Sequence, residues 1–299
     1  MRVLVCGWFS FEPMGATAGD LRARDVACRW LDEAGVDHDV ALAPVFASGL
    51  DWRGADPARY SHLLFVCGPF DPDREPVTGL LARFSAARLV GLDVSIDRPL
   101  EEQDPFHLLF ARDSSRGGAP DLAFAAEHAR VPAVGVILVP LQREYGERAR
   151  HAEAEAMIRR VLRTRPVARV DLDTALTNDP GTHDTESLRS PAEVESLLAR
   201  MDAVVTTRLH GLVLALKAGV PVAAVDPVAG GAKVLRQARE IGWPYARAAD
   251  DLDEAWLGAT LDACLDPGAR EDARACAGRA AGEVERIRER FVAALRAER

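Results

Sequence analysis

The chain has 299 residues, 48% hydrophobic and 28% charged, and its 37 basic and 46 acidic side chains give a net charge of −9. That length points to two domains of about 130 to 170 residues, and the acid excess excludes a broad nucleic-acid footprint while permitting a small basic pocket. Five cysteines without a CxxC pair exclude a disulfide framework and a zinc site, and fit reduced thiols in a cytoplasmic protein.

The N-terminal segment imitates a secretory signal, with Arg2, an apolar run from Val3 to Phe9 and small residues at 16–18. Gly7, Glu12 and Pro13 break that pattern, so the expectation is a buried first strand. No stretch reaches the ~20 apolar residues of a membrane helix, so no integral membrane segment is expected.

Short β-branched runs alternate with amphipathic segments, the pattern of an α/β chain with mainly parallel sheets. In the first half "RVLVCGW", "HDVALA", "SHLLFVCG", "RLVGLDVSI" and "FHLLFA" read as strands. Helices are expected from Gly19 to Gly35 and near Gly79–Ala87, and "PDLAFAAEHAR" also reads as helical. A second cycle starts at "VPAVGVILVPL", followed by a long helix from about Glu144 to Arg165 and the strand "VARVDLD". After the polar loop "TNDPGTHDTESLRS", which contains His183, a helix is marked by Ser190 as N-cap, Pro191 at the first position and Glu193 completing a capping box. The terminal helix carries Ala273, Ala277, Ala280, Val284, Ile287, Phe291 and Leu295 at helical spacing, which predicts one buried stripe. The division falls near residue 130. It gives residues 1–129 and 130–299 as two Rossmann-like domains facing across a cleft, with no internal repeat.

The stretch "VVTTRLHGLVLALKAGVPVAAVDP", residues 204–227, holds the main chemical signal. It reads as strand, helix and strand, with Gly219 and Pro221 ending the helix. Arg208, Leu209 and His210 fall where the first strand hands over to the helix. Ligands in open parallel sheets bind at that position, and free helical N–H groups there attract anions. Arg208 adds a planar fork suited to carboxylate or phosphate. His210 is under opposing influences, since the helix start disfavours imidazolium and a bound anion favours it, which suits a proton donor active when substrate is present. On local geometry alone these residues equally fit a capped surface turn. Lys233, one of two lysines in the chain, follows Gly230 and Gly231 in a glycine-rich loop past the next strand end.

The block Thr207-Arg208-Leu209-His210-Gly211, with Gly219-Val220-Pro221 and Lys233-Val234, resembles the polysaccharide pyruvyl transferase family. Arg112-Asp113-Ser114, "PDLAF" at 120–124 and Gly19-Asp20 resemble further family motifs. The segment between Ser114 and Asp121 is shorter than the family pattern, and "VCGPF" at 66–70 carries a single glycine. The resemblance implies a GT-B-like fold with its active site between two Rossmann-type domains. It also implies phosphoenolpyruvate as donor and a pyruvate ketal on a saccharide or glycosylated acceptor as product.

On that resemblance residues 1–129 take the acceptor side and contribute Arg112, and residues 130–299 hold phosphoenolpyruvate. His210 is assigned as general acid with Arg208 and Lys233. Arg112, Leu209, Gly211, Asp20, Gly19 and Gln142 are assigned to substrate binding, Leu209 as a packing residue that aims its neighbours. Asp20, Asp113, Asp171 and Asp173 are candidate bases, and Trp8 and Phe9 fit either sugar stacking or packing. Arg143 and Tyr145, beside Gln142, share its place after the first strand of the second domain. No metal or other cofactor is required, and no nucleic-acid partner is expected. Peripheral membrane contact is expected only for a lipid-linked acceptor, and the oligomeric state is left open. Two other functions fit the same pattern: a GT-B glycosyltransferase using a nucleotide sugar, and a catalytically silent binding protein of this fold.

Overall fold

A computed structural model describes residues 1–12, 15–46, 49–102, 104–176 and 188–297. It divides into two compact units, Met1–Ala129 and Arg130–Arg299. His183 and most of its loop lie outside the described residues.

In the first unit the elements run β1 (Arg2–Cys6), α1 (Ala18–Glu33), β2 (Asp37–Val40), β3 (His62–Val66), α2 (Val77–Arg83), β4 (Arg88–Ser95) and β5 (Leu108–Asp113). The strands form a parallel sheet in the order β2-β1-β3-β4-β5. The second unit runs β6 (Ala133–Ile137), α3 (His151–Arg163), β7 (Ala168–Leu172), α4 (Pro191–Leu198), β8 (Ala203–Thr206), α5 (Leu209–Lys217), β9 (Val222–Asp226), α6 (Lys233–Glu240), β10 (Ala246–Ala248), α7 (Glu254–Cys264) and α8 (Ala269–Ala297). Its parallel order is β10-β9-β8-β6-β7. The architecture is thus two parallel-sheet α/β units.

Central strands are buried along almost their whole length, as in β1, β3, β8 and β9. This is why they read as continuous apolar runs rather than alternating ones. Each sheet has an apolar cluster on either face. Both strand orders change direction beside the first strand, between β1 and β3 and between β6 and β8. Chain leaving those strand ends turns to opposite faces and opens a crevice.

Several expectations are corrected. "PDLAFAAEHAR" forms a single 3-10 turn, Leu122–Ala125, because tertiary bonds claim its backbone. Asp93 accepts the Leu122 N–H at 3.1 Å, and Arg29 donates to the Ala125 carbonyl at 2.9 Å. The helix expected from Glu144 to Arg165 is broken. A 3-10 turn spans Arg143–Arg148, Gly146 has φ 50°, and α3 begins only at His151. The intervening backbone pairs with the β9–α6 connection instead, Arg150 N donating to Pro227 O at 2.8 Å and Ala229 N to Arg148 O at 2.8 Å. Ser190 does cap α4, accepting the Glu193 N–H at 3.2 Å. The Glu193 carboxylate, however, takes the Arg189 N–H at 2.7 Å, so the expected box is half made.

The terminal stripe is buried only at its start. Ala273 and Cys276 pack into the core, whereas Val284, Ile287, Phe291 and Leu295 are exposed. A 29-residue helix spans about 43 Å and outruns the core it packs on. All five cysteines are free thiols. Among the described residues no helix is long and apolar enough to cross a membrane.

Candidate active site

Two threonines build the turn between β8 and α5. Thr206 donates from Oγ1 to the Ile137 carbonyl at 3.0 Å and accepts the Arg208 N–H at 3.0 Å. Thr207 N donates to the same carbonyl at 2.9 Å, while its Oγ1 accepts the Val139 N–H at 2.8 Å. These bonds tie the exits of β6 and β8 together at the crevice. Arg208 is the extended N-cap of α5. Leu209 is partly buried and packs against the core below. His210 is exposed. At Gly211 an added Cβ would lie 2.2 Å from Thr206 Oγ1, so only glycine lets α5 approach the strand end so closely.

Arg208 Nη2 lies 3.1 and 3.2 Å from the two Asp173 oxygens, and its buried Nε has no partner among the described residues. Asp173 therefore orients the guanidinium. Asp171, another candidate base, is engaged by Arg169 at 3.1 Å and Arg159 at 3.8 Å.

Lys233 opens α6 instead of lying in a loop. Its position is set by Asp226 at the end of β9, a residue the sequence reading passed over. One oxygen of this fully buried carboxylate accepts the N–H groups of Ala232 at 2.7 Å and Leu235 at 2.9 Å, and the other has no partner among the described residues. The signal for it was the "DP" at a strand end followed by glycines. Lys233 Nζ lies 5.9 Å from the Tyr145 ring centroid, a cation–π distance. Because β8 and β9 are adjacent, Arg208, His210 and Lys233 all rise from neighbouring strand exits. Gln142, after β6, donates to Glu144 at 3.0 Å, and its buried oxygen has no partner among the described residues. His151 is a second missed residue. It is buried with both ring nitrogens unpartnered among the described residues, and burial lowers its pKa against the opposing pull of Glu144 and Asp226.

In the first unit Arg112 is enclosed. It donates to Asp121 at 2.8 Å, to Ser95 Oγ at 2.6 Å and to Asp113 at 3.4 Å, with Cys67 Sγ at 3.6 Å. Burial opposes its charge, but Asp121, Cys67, Asp113 and Asp93 leave its pKa raised. Cys67 and Asp93 adopt φ of 63° and 60°, the left-handed region where non-glycine residues are uncommon. Burial and nearby Asp20 push the Cys67 thiol up to about 12, and burial also raises Asp93. Cys67, Asp93 and Asp121 bring ligand-type atoms within 4.8 Å of one another. Arg112 already supplies the positive charge there.

Asp20 forms a capping box with Thr17, accepting its N–H at 2.8 Å and its hydroxyl at 2.9 Å. With Trp8, Thr17, Asp71 and Arg74 it lines a cavity of about 530 Å³. Gly19 has only an ordinary 3.4 Å contact to Thr17 Oγ1 where a Cβ would be, so nothing local demands glycine. Phe9 is fully buried core, whereas Trp8 borders the cavity and donates to Pro69 O at 2.9 Å.

Residues 119–227 match the family model described as polysaccharide pyruvyl transferase. The match contains the Arg208–Gly211 block and the Gly219–Pro221 turn, while Gly19-Asp20, Arg112 and Lys233 lie outside it. The motif resemblance holds, and the chain is an enzyme of the transferase class, with pyruvyl transfer as the supported kind of reaction. No curated protein matches the chain.

Among solved structures, spinosyn rhamnosyltransferase SpnG complexed with thymidine diphosphate is 14% identical, covering 93% of this chain and 96% of that one at a TM-score of 0.34. A UDP-GlcNAc 2-epimerase from Methanocaldococcus jannaschii, in complex with UDP-GlcNAc and UDP, is 9% identical over 89% and 93% at 0.32. MurG from Acinetobacter baumannii is 13% identical over 93% and 94% at 0.32.

Proposed function

We propose that the protein transfers the enolpyruvyl group of phosphoenolpyruvate to a saccharide or glycosylated acceptor, forming a pyruvate ketal. One observation carries the reading: an exposed His210 and a carboxylate-oriented Arg208 stand at the crevice-side start of α5, within the segment that matches the family. Arg208 and Lys233 suit the phosphate and carboxylate of the donor, and Arg112 is the further cation the resemblance assigns.

His210, as imidazolium, delivers a proton to the methylene carbon, and C2 becomes cationic. One acceptor hydroxyl attacks C2 and gives its proton to a carboxylate base, from which it passes back to the imidazole. A second hydroxyl then displaces phosphate, its proton leaving with the phosphate, and the ketal closes. Asp173, bonded to Arg208, is the candidate base beside His210 on the second unit, and Asp20 and Asp113 are the candidates on the first. Asp173 is engaged by Arg208 and Asp20 by a helix cap, so either would work through an exchange of partners.

The test is acceptor-dependent phosphate release from phosphoenolpyruvate over a panel of nucleotide- and lipid-linked sugars, with mass detection of the ketal. His210→Ala is expected to lower release by about 10²- to 10⁴-fold while the protein stays folded. Full activity in that variant removes His210 as the acid, and absence of any ketal across the panel with retained nucleotide-sugar turnover removes the reaction.

A further inference from the structure

Three arginines of the second unit line one cavity, and among the described residues none has a carboxylate partner. Arg148, Arg236 and Arg239 line a cavity of about 310 Å³ together with Tyr145, Gly230 and Gly231. Elsewhere in this unit arginines are commonly paired, Arg159 with Glu155, Arg160 with Glu254, Arg165 with Asp262 and Arg247 with Asp253. Among the described residues, none of the three cavity arginines forms an ion pair. In a chain with net charge −9, acids are abundant enough to neutralise them, yet no acidic side chain lines this cavity. Like charges held close together repel, and an anion between them reverses the sign of that energy.

The donors are arranged for such an anion. Arg148 fastens the glycine loop, with Nε and Nη2 donating to Ala229 O at 3.1 and 2.8 Å and Nη2 also to Gly231 O at 3.0 Å. Arg236 makes one bond, from Nε to Ala232 O at 3.0 Å, which leaves both terminal nitrogens free among the described residues. Arg239 lies one turn on along the same face of α6. Gly230 and Gly231 have φ of 71° and 77°, and a Cβ at Gly230 would find its nearest neighbour, Arg148 Nη2, only at 3.9 Å. The absent side chain therefore leaves the loop surface open beside a guanidinium. Asp250, the acid bonded to this loop, is engaged by the Gly230 N–H at 3.0 Å.

We infer that this cavity is a second anion site, for a phosphate-bearing ligand, separate from the donor position at Arg208 and His210. Neither of those residues lines it, and neither does Lys233. Guanidinium forks match phosphate oxygens in pairs, and the Tyr145 ring offers a face to the remainder of the ligand. The same ring carries the Lys233 ammonium, so an occupant would touch the residue that steadies the proposed donor cation. The assignment stands on the cavity and not on pyruvyl transfer. Two sources supply the ligand chemistry: inorganic phosphate, or the diphosphate of a carrier-linked saccharide.

Calorimetry on the full chain with inorganic phosphate, pyrophosphate and uridine diphosphate tests it, using the double variant Arg236→Gln/Arg239→Gln. Both side chains are exposed, and an unchanged thermal melt verifies the fold. Wild type is expected to bind pyrophosphate, with a loss of about tenfold or more in the double variant and unchanged phosphoenolpyruvate binding. Arg208→Ala is expected to do the reverse. Equal affinity for phosphate and diphosphate assigns the free-phosphate source, and a diphosphate preference assigns the carrier. Undetectable binding to wild type, or equal pyrophosphate affinity in both proteins, overturns the site. Joint loss of phosphoenolpyruvate binding in the double variant overturns its separateness. Failure of pyruvyl transfer alone leaves these binding results untouched, so the two ideas fail independently.

Discussion

The two units share a strand order, and each places an arginine at the carboxyl end of its sheet, but they treat it in opposite ways. In the first, Arg112 is surrounded by Asp121, Asp113, Ser95 and Cys67, and its neighbours Cys67 and Asp93 are held at positive φ. In the second, Arg208 meets one half-exposed acid and is followed by an exposed His210. Closing a network of partners fixes a side chain, whereas leaving donors unsaturated keeps them available to a ligand. The contrast therefore separates a strand end whose arginine donors are largely taken from one whose donors stay open to a ligand.

The largest effect that sharpens this contrast is catalytic. His210→Ala should lower turnover by about 10²- to 10⁴-fold, the usual span for a general acid. Its melting curve should match wild type, because the ring is exposed. A comparable drop in melting temperature would make His210 a structural residue and remove the contrast.

Next comes a test of two motif glycines. Gly211→Ala places a methyl 2.2 Å from Thr206 Oγ1, so urea denaturation should show a loss of about 1–3 kcal/mol, the cost of overpacking. Gly19→Ala, near the start of α1, meets only an ordinary contact. It should be neutral or stabilising by up to about 1 kcal/mol, since alanine is the better helix former. Equal effects would mean that the close approach at Gly211 is not a structural requirement.

Asp121 and Asp173 extend the comparison to the carboxylates. Asp121→Ala removes the 2.8 Å partner of a mostly buried guanidinium, and a loss of about 1–3 kcal/mol is expected. Asp173→Ala breaks a pair whose acid is more exposed than Asp121, worth about 0–1 kcal/mol in stability, while freeing Arg208 for an anion. Tighter phosphoenolpyruvate binding in the second variant with little change in melting is the expected pair of readings, and the opposite pair would exchange the roles of the two strand ends.

Much of this was legible in the chain. The strands follow from apolar runs, and the α5 turn follows from "TTRLHG" because its signals are local: a threonine-rich strand end, a glycine and a Gly-x-Pro stop. Where long-range bonds decide, the pattern misleads. The segment after Asp121 has helical composition, but Asp93 and Arg29 take its backbone groups. The helix expected from Glu144 is interrupted where residues 148–150 pair with the β9–α6 connection. Apolar spacing in α8 identifies one face but does not say whether anything covers it. Asp226 and His151 were missed because burial, not spacing, distinguishes them, and burial is a tertiary property.

The smallest expected effect separates strain from charge in the first unit. Burial raises the Asp93 pKa in the folded protein. A raised carboxyl favours the folded state fully below its unfolded value, and that contribution is lost as pH rises through the folded value. Asp93→Asn retains a carbonyl oxygen for the Leu122 N–H, which lies 3.1 Å from Oδ1, and it never ionises. Asparagine also tolerates φ near 60° better than most residues, an advantage that is the same at every pH. Denaturation from about pH 3 to pH 8 should therefore show a variant whose advantage is small in acid and grows as pH rises through the Asp93 titration. Parallel curves would assign the whole difference to backbone strain and remove the buried charge from the account of how Arg112 is held.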